Sequence, residues 1–369
     1  MTLHIKKVLI IIGAIVVLIG IVICLVYINY LRPKFAYKIE NGKAIITHYS
    51  GHKRIVAIPS TLGGAPVVGI GDKAFAAKKN IVFLDALWGQ SYSGSQLIEQ
   101  ISIPDSVNTV GANAFLDCTS LKNIVIPDGV ASLHFAFYGC TSLQEVTMPD
   151  SITFIDGSFT NCKSLKSITI PRGVTSLGET FDGTFANCLD LEKVVLPDSL
   201  TSIGANVFYN CTNLKSITIP DGVASISGSS FLGCTSLKRI IIPDSVTSFG
   251  GGFSGCDSLE QIELPRNLTT IARASFAQCP ALANVIIPDR VTTIGEIAFQ
   301  DCISLTNIVI PNGVNTIGAG AFQGCTSLKQ ITIPASVKSV GKDAFAGTPW
   351  ADTPEGKAFI SAHSPQSQP

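Results

Sequence analysis

Cysteine and histidine are the residue types of this chain that can bind a metal or act as a nucleophile. Ten of the eleven cysteines recur at one place of a repeated segment, from Cys118 to Cys325, and none of them forms a C-x-x-C pair. The five histidines are scattered, with spacings that fit neither a metal site nor a catalytic triad. The sequence therefore predicts no metal and no cofactor. The ten repeated cysteines are expected to be buried free thiols that pack as small apolar side chains.

Other catalytic signals are also missing from the sequence. The recurrent Asp and Ser of the I-P-D-S-V segments are explained by a turn, where such side chains bond nearby backbone N–H groups. A catalytic site would normally interrupt a repeat, and only residues 79–97 do so. We therefore expect no enzymatic activity and no small-molecule substrate. The 26 basic and 26 acidic residues balance, so the chain has no electrostatic footprint for nucleic acid.

The repeat itself is a frame that ends in proline. The pattern F-x-x-C-x-x-L-x-x-I-x-I-P of residues 115–127 occurs ten times, with closing prolines 22 to 26 residues apart. A fixed period of this size predicts a solenoid of stacked coils. From Cys to Pro the count is always nine residues, so all length variation lies between Pro and Phe. The constant half of each coil is expected in a parallel sheet, where a slip of one residue would turn inward side chains outward.

The constant half contains the predicted strand. Ile168 and Ile170 lie two residues apart and share one face, and Pro171 ends the strand because it has no N–H group for the ladder. Two inward apolar rows are predicted in the variable half, and a row of phenylalanines fills the far side of the core. The expected fold is a leucine-rich-repeat arc, with a parallel β-sheet on the concave face and short irregular turn segments on the convex side.

The frame resembles the BspA-like, Treponema-type leucine-rich repeat, whose units look like IPDSVTSIGxxAFxxCxSLKxIxI. The match runs from about Ile98 to Pro349, and YKIENGKAIITHYSG…IPSTLGGAPVVGIGDKAF is similar to the capping segment of that family. The resemblance implies a protein on an outer surface, with adhesion-like recognition of a protein or extracellular-matrix ligand. The resemblance does not identify the ligand, because arrays of this kind bind many different ligands.

An apolar segment precedes the repeats. Residues 8–31 are 24 residues without a charge, and lysines and arginine flank them. At about 1.5 Å per residue, a helix of this length crosses a bilayer. The segment is longer than the apolar region of a cleavable signal peptide, and it lacks a small-residue cleavage site. We predict a basic tail at residues 1–7 and an uncleaved transmembrane signal anchor at residues 8–31.

Two observations bear on the side of the membrane that holds the repeats. More basic residues follow the anchor than precede it, and this count favours repeats on the inside. A short basic head before an apolar run is instead typical of secretory anchors, and the family resemblance implies an outer surface. We expect a single-pass cell-membrane protein with its repeats outside. The alternative is an intracellular or envelope-facing scaffold that organises other proteins.

The remaining boundaries follow from composition. Residues 35–78 are predicted to form an N-terminal cap, with a hairpin turn at Asn41-Gly42 and a first partial repeat. Residues 79–97 are an insertion loop, and residues 98–349 are the array of units of about 23 residues. Residues 350–369 form a C-terminal cap, in which Trp350 covers the last coil and a polar, disordered tail follows.

Two surfaces are candidates for partner binding. The first consists of the outward strand residues, which form two columns. Neither column contains an aromatic side chain, so the alternative is a polar surface that binds no ligand. The candidate contacts on it are Lys193, Arg239, Ile241, Gln261 and Glu263.

The second candidate surface is the insertion. It carries Trp88 and Tyr92 in the segment ALWGQSYSGSQ. An aromatic pair on a loop is a plausible contact point, and the alternative is that the tryptophan only seals the first coil.

Overall fold

The computed structural model describes residues 15–24, 35–77, 94–180 and 182–363. Within the predicted anchor, residues 15–24 are helical and exposed, while residues 8–14 and 25–31 lie outside the described ranges. In the ranges that the structure covers, no helix combines the length and the apolar character that a membrane span needs. The transmembrane anchor therefore stays a prediction.

The N-terminal cap is a small mixed sheet. Strands β1 (Phe35–Glu40) and β2 (Lys43–Tyr49) pair as an antiparallel hairpin. Its turn residues Asn41 and Gly42 both have positive φ, 50° and 72°, as a two-residue hairpin turn of this type requires. The cap continues with β3 (Ile55–Ala57), β4 (Thr61–Leu62) and β5 (Ala65–Ile70), and β2 lies parallel to β5. This change from antiparallel to parallel pairing starts the stack of coils.

The main ladder consists of parallel three-residue strands in the constant half of the coils. Two coils lack the predicted strand, but their residues 216–218 and 284–286 keep the alternation exposed–buried–exposed and continue the same row. The register of the strands aligns equivalent residues, for example Ile168 with Val194 and Ile240 with Ile262. After β3, the strands of this ladder are β6 (Gln100–Ser102), β8 (Asn123–Val125), β9 (Glu145–Thr147), β10 (Ser167–Thr169), β12 (Lys193–Val195), β15 (Arg239–Ile241), β17 (Gln261–Glu263), β20 (Asn307–Val309) and β22 (Gln330–Thr332). The predicted parallel sheet is confirmed.

A second parallel ladder runs through the variable half of the coils, where the sequence predicts only irregular turns. That part of the prediction is wrong. The same register that stacks Leu177 on Ile203 also lets the Gly204 N–H donate to the Leu177 carbonyl, 2.7 Å away. The two-residue strands are β7 (Thr109–Val110), β11 (Ser176–Leu177), β13 (Ser202–Ile203), β14 (Ser225–Ile226), β16 (Ser248–Phe249), β18 (Thr270–Ile271), β19 (Thr293–Ile294), β21 (Thr316–Ile317) and β23 (Ser339–Val340).

One apolar core runs the length of the stack. The ladder phenylalanines from Phe75 to Phe345 stack ring on ring, with centroids 5.1 to 5.9 Å apart. The two inward rows of the variable half are buried as well: Val107, Val130, Ile152, Val174 and Leu200, and Val110, Leu133, Ile155, Leu177 and Ile203. Equivalent side chains therefore cover one another, and each coil buries its apolar face only against its neighbours.

Aromatic side chains close both ends of the core. Tyr49 stacks on Phe75 at 5.2 Å, and Trp350 packs edge-on against Phe345 at 4.9 Å. Trp350 lies in the 3₁₀ helix Pro349–Asp352. A second 3₁₀ helix, Gly94–Leu97, lies at the start of the array.

The C-terminal segment differs from its prediction. An α-helix spans Pro354–His363, so the prediction of disorder from residue 351 is wrong for residues 351–363, and residues 364–369 lie outside the described ranges. The Thr353 hydroxyl accepts a hydrogen bond from the Gly356 N–H at 3.0 Å and caps the helix. Phe359 packs on Phe345 at 6.2 Å and fixes the helix to the last coil.

Candidate interaction surface

The strand face is the surface formed by the outward side chains of the main ladder, two from each coil. Residues 193–195, 239–241 and 261–263 all show the burial pattern exposed–buried–exposed. The middle residue packs into the core and its neighbours point to solvent, because strand side chains alternate. Parallel register then places like positions above one another. Two columns of exposed side chains therefore run along the solenoid axis.

Five sequence-predicted contact residues lie together on this face. In register, Arg239 is paired with Gln261, and Ile241 with Glu263. The Arg239 guanidinium forms an ion pair with the Glu263 carboxylate of the next coil. Both side chains are more than half exposed, so the pair adds little stability. Lys193 lies two coils earlier and is exposed. The five residues thus form one solvent-facing patch.

The second column of the strand face contains exposed branched aliphatic side chains. Val125 and Val309 are each 63% exposed, Ile241 is 49% exposed and Ile286 is 85% exposed. Ile286 is not among the contact residues that the sequence predicts. The available signal was its outward strand position in V-I-I-P, where the two flanking apolar residues point inward. Among the described residues, Ile286 is the most exposed large apolar side chain.

Shallow depressions flank two of these side chains where the strands turn at proline. Ile241 and Thr218 line one of them, together with Asp221 and Asp244. Ile286 and Glu263 line the other, beside Arg266, Asn267, Asp289 and Arg290. Each depression therefore joins an exposed apolar side chain to charged groups, which is the composition of a protein contact with a polar rim.

The edge of the strand face that follows the prolines is mainly acidic, with Arg172 and Arg266 as exceptions, and the opposite edge carries charges of both signs. Lysines precede several strands, at Lys122, Lys166, Lys215 and Lys238. Aspartates follow the prolines that end them, at Asp128, Asp150, Asp198, Asp221, Asp244 and Asp289. The mixed edge also holds Glu99, Glu192 and Glu260. The hydrogen bond and the charge of Lys122 hold the pKa of Glu99 below its usual value, with a smaller effect from Arg54. Lys215 lowers the pKa of Glu192 in the same way.

The second predicted surface, with Trp88 and Tyr92, lies outside the described residues. The described end of that insertion is the 3₁₀ helix Gly94–Leu97, whose Ser95 is buried. The aromatic pair therefore remains a prediction.

The repeated cysteines have a structural role that the sequence did not show. All ten are buried free thiols. Each Sγ donates to the carbonyl of the ladder phenylalanine in the preceding coil, at 3.0 to 3.3 Å, as Cys211 does to Phe185 and Cys325 to Phe299. Burial raises the pKa of Cys234 well above its ordinary value and that of Cys325 to about 12. These thiols therefore join coils, and as neutral groups they are poor nucleophiles.

The described part of the chain also contains no metal-binding cluster of the usual kind. Within the described ranges, no three His, Cys, Asp or Glu side chains come together in a way that could hold a metal ion.

These features define the class of the protein. Coils of about 23 residues stack in parallel, each with a short strand, a buried leucine at the bend and an exposed strand face. The chain is thus a parallel β-solenoid of the leucine-rich-repeat type.

The family follows from comparison with known proteins. A family model for the BspA type leucine rich repeat region matches residues 89–184, 180–303 and 251–351, and the chain belongs to this family. The resemblance seen in the sequence is confirmed.

Solved structures show the same relationship. A leucine-rich repeat protein from Bacteroides ovatus is 28% identical, with a TM-score of 0.53, over 85% of this chain and 90% of that one. A leucine rich cell surface protein from Faecalibacterium prausnitzii is 30% identical, with a TM-score of 0.47, over 82% and 94%. The pneumococcal vaccine antigen PcpA is 17% identical, with a TM-score of 0.51, over 90% and 94%, and shares the fold. Comparison with curated proteins finds no match.

Proposed function

We propose that this chain is a non-catalytic surface protein, held in the cell membrane by residues 8–31, whose strand face binds a protein or extracellular-matrix ligand in an adhesion-like role. The observation that carries the proposal is the column of exposed aliphatic side chains on that face, Ile286 above all. Leucine-rich-repeat proteins generally bind proteins, and solenoids offer extended surfaces for this purpose.

The strand face has the composition that such recognition needs. Its apolar column lies between an edge of mixed charge and a mainly acidic edge, so a partner can gain burial in the middle and charge complementarity at the acidic side. The patch of Lys193, Arg239, Ile241, Gln261 and Glu263 is the proposed centre. Trp88 and Tyr92 are a second proposed contact.

Cell-surface exposure can be tested by protease shaving of intact cells. We expect cleavage of the repeats under conditions in which a cytoplasmic control protein stays whole. Repeats that remain uncut while an external control is digested would remove the adhesion proposal. That result would favour the intracellular or envelope-facing scaffold, which the charge count around the anchor supports.

The strand face can be tested with matched isoleucine variants. Ile241→Arg with Ile286→Arg places bulky charges in the apolar column, and we expect partner affinity to fall tenfold or more, roughly the loss of one hot-spot residue. Ile303→Arg is the control, because Ile303 is 46% exposed but lies off the strand face. Extracellular proteins cross-linked to cells that display each variant would be quantified by mass spectrometry. Equal capture by all variants would show that the face is not the binding surface.

A further inference from the structure

One coil departs from the others in length and in the polarity of its interior. From Pro171 to Cys188 the chain has 17 residues, where the other coils have 13 or 14. Three fully or almost fully buried polar side chains lie between this coil and the one before it: Asp156, Thr160 and Thr184. A fourth, Ser158, faces the coil before that. In a core made of Phe, Leu, Ile, Val and Cys, this polar region needs its own explanation.

Asp156 is a buried carboxylate without a cationic partner in the described chain. Its side chain belongs to a residue that is 3% exposed, and it takes part in none of the ion pairs of the described residues. The Thr180 N–H lies 3.3 Å from Oδ1, and Oδ2 has no hydrogen-bond partner. A buried charge of this kind is costly unless a counter-charge or hydrogen-bond donors surround it.

Oxygen acceptors around the Thr160 and Ser158 hydroxyls outnumber the protons that these hydroxyls can donate. The Thr160 hydroxyl lies within hydrogen-bond distance of three carbonyls, those of Gly157, Asp182 and Gly183, at 2.7 to 3.2 Å. The Ser158 hydroxyl likewise faces two carbonyls, at 2.9 and 3.3 Å. Each hydroxyl has only one proton to donate. Three of these five carbonyls therefore receive no hydroxyl proton. Those of Gly157, Gly183 and Asp156 also accept backbone N–H groups.

Two further hydroxyls complete the group. Thr180 Oγ1 and Thr184 Oγ1 are buried and make no hydrogen bond, so with Asp156 Oδ2 they account for three of the seven such atoms in the described chain. Thr184 occupies the place that Ser158 and Ser230 hold in their own coils. Each of those serines donates to a carbonyl of the coil before it. The same register directs Thr184 toward the coil that contains Asp156.

We propose that this oxygen-rich region binds a hard monovalent cation, Na⁺ or K⁺, with Asp156 as its charged ligand and the hydroxyls of Thr180 and Thr184 as neutral ligands. Hard cations prefer carboxylate, hydroxyl and carbonyl oxygens. One buried carboxylate balances one positive charge. A calcium site would draw on several carboxylates, and the described residues do not bring three acidic side chains together.

The test is the thermal stability of the full-length chain in different chloride salts at equal ionic strength. Choline chloride is the reference, because choline is too large for a buried site, and NaCl, KCl and CaCl₂ are compared with it. At about ten times the dissociation constant, NaCl or KCl is expected to raise Tm by roughly 2 °C in a chain of 369 residues. Asp156→Asn should abolish this rise. Asp128→Asn, at an exposed aspartate of another coil, should keep it.

A second variant keeps the proposal falsifiable if Asp156→Asn does not fold. Thr184→Val removes an unpartnered buried hydroxyl, so it should raise Tm in choline chloride while reducing the response to NaCl or KCl. Equal Tm values in all four salts would overturn the proposal. They would show that buried water or a proton, and not a cation, satisfies these oxygen atoms. A response to CaCl₂ alone would overturn it in favour of a divalent site.

Discussion

At the scale of single residues, the coil depends on backbone conformations that are unusual for most side chains. From Phe115 to Phe345, the residues two before and two after each ladder phenylalanine have positive φ, as Asn113 and Asp117 do around Phe115. This alternation turns every second N–H toward the next coil, so the N–H groups of Asn113, Phe115 and Asp117 all donate across the stack. Gly, Asn and Asp are frequent at these positions because they tolerate this conformation. That enrichment is visible in the sequence, and it is the signal from which the positive φ values could have been predicted.

Ile297 is the residue least suited to this conformation. It has φ of 48° although its side chain is β-branched, which costs about 1–2 kcal/mol. Replacement by Asn, the residue found at the equivalent positions 113 and 206, should raise the free energy of unfolding by up to about 1 kcal/mol. Urea unfolding measures this change.

The control for Ile297→Asn is Ile303→Asn, which makes the same chemical change at an exposed isoleucine with negative φ. This second variant should leave stability within about 0.5 kcal/mol of the parent. Equal effects at both positions would show that polarity, and not backbone strain, accounts for any gain.

The buried thiols predict how stability depends on pH. Burial raises the pKa of Cys234, Cys211 and their neighbours, so above about pH 9 the folded chain holds protons that the unfolded chain has lost. The stability that depends on neutral thiols is therefore complete below pH 8 and falls as pH rises toward the folded-state values. The expected slope is about 1.4 kcal/mol per pH unit for each thiol. Nine thiols, from Cys140 to Cys325, have a raised pKa, and together they should give a steep alkaline transition.

Urea unfolding between pH 7 and 10.5 measures this slope. Cys234→Ala removes one titrating group, so its free energy of unfolding should fall with pH less steeply than that of the parent, by the contribution of one thiol. Titration of Lys and Tyr affects parent and variant equally. Parallel pH curves for the two proteins would show that Cys234 titrates as an ordinary thiol.

At the scale of elements, the constant half of the coil was predictable and the variable half only partly so. Core residues such as Ile168 and Ile170 lie two positions apart, and a proline follows them. This pattern predicts a strand without any information about neighbouring coils. The second ladder has strands of two residues, such as Ser176–Leu177. Two residues contain no periodicity, and these strands exist only because the first ladder fixes the register of the stack. Sequence reasoning therefore found their inward side chains but not their backbone pairing.

The C-terminal helix and the interaction surface could also be predicted only in part from the sequence. The polar sequence of the helix Pro354–His363 predicts disorder, and the order of the helix depends on the contact between Phe359 and Phe345. The strand face followed from alternation alone. Its ion pair between Arg239 and Glu263 requires neighbouring coils to be in register, and a single unit does not contain that information.

Some glycines, at the corner of the coil seven residues after the proline, are required by the stacking of the coils. Gly204 and Gly318 have ordinary φ, so backbone freedom does not explain them. A Cβ atom on Gly204 would lie 1.8 Å from the Gly178 carbonyl oxygen, and one on Gly318 would lie 2.4 Å from the Glu296 nitrogen. Glycine is found there because the backbones of successive coils approach closely at this corner.

At the scale of the whole molecule, stability is the sum of many similar contacts between neighbouring coils. Phe231 has rings on both sides, with centroids 5.3 Å from Phe208 and 5.1 Å from Phe253. Phe231→Ala should lower the free energy of unfolding by about 3–5 kcal/mol. In a stack where each coil touches only its neighbours, that loss stays local and weakens the connection between the two halves.

Hydrogen exchange should reveal this loss of connection in Phe231→Ala. We expect amide protection to fall most in the coils of Phe208, Phe231 and Phe253, because their N–H groups donate across the weakened contact. Coils near Phe137 and Phe322 should keep the protection of the parent protein. Ser236→Ala, a change in the same coil at a half-buried side chain outside the phenylalanine row, is the control and should leave exchange unchanged. A uniform loss of protection along the array in Phe231→Ala would show that the solenoid unfolds as a single cooperative unit, and the picture of a chain of nearest-neighbour contacts would then be wrong.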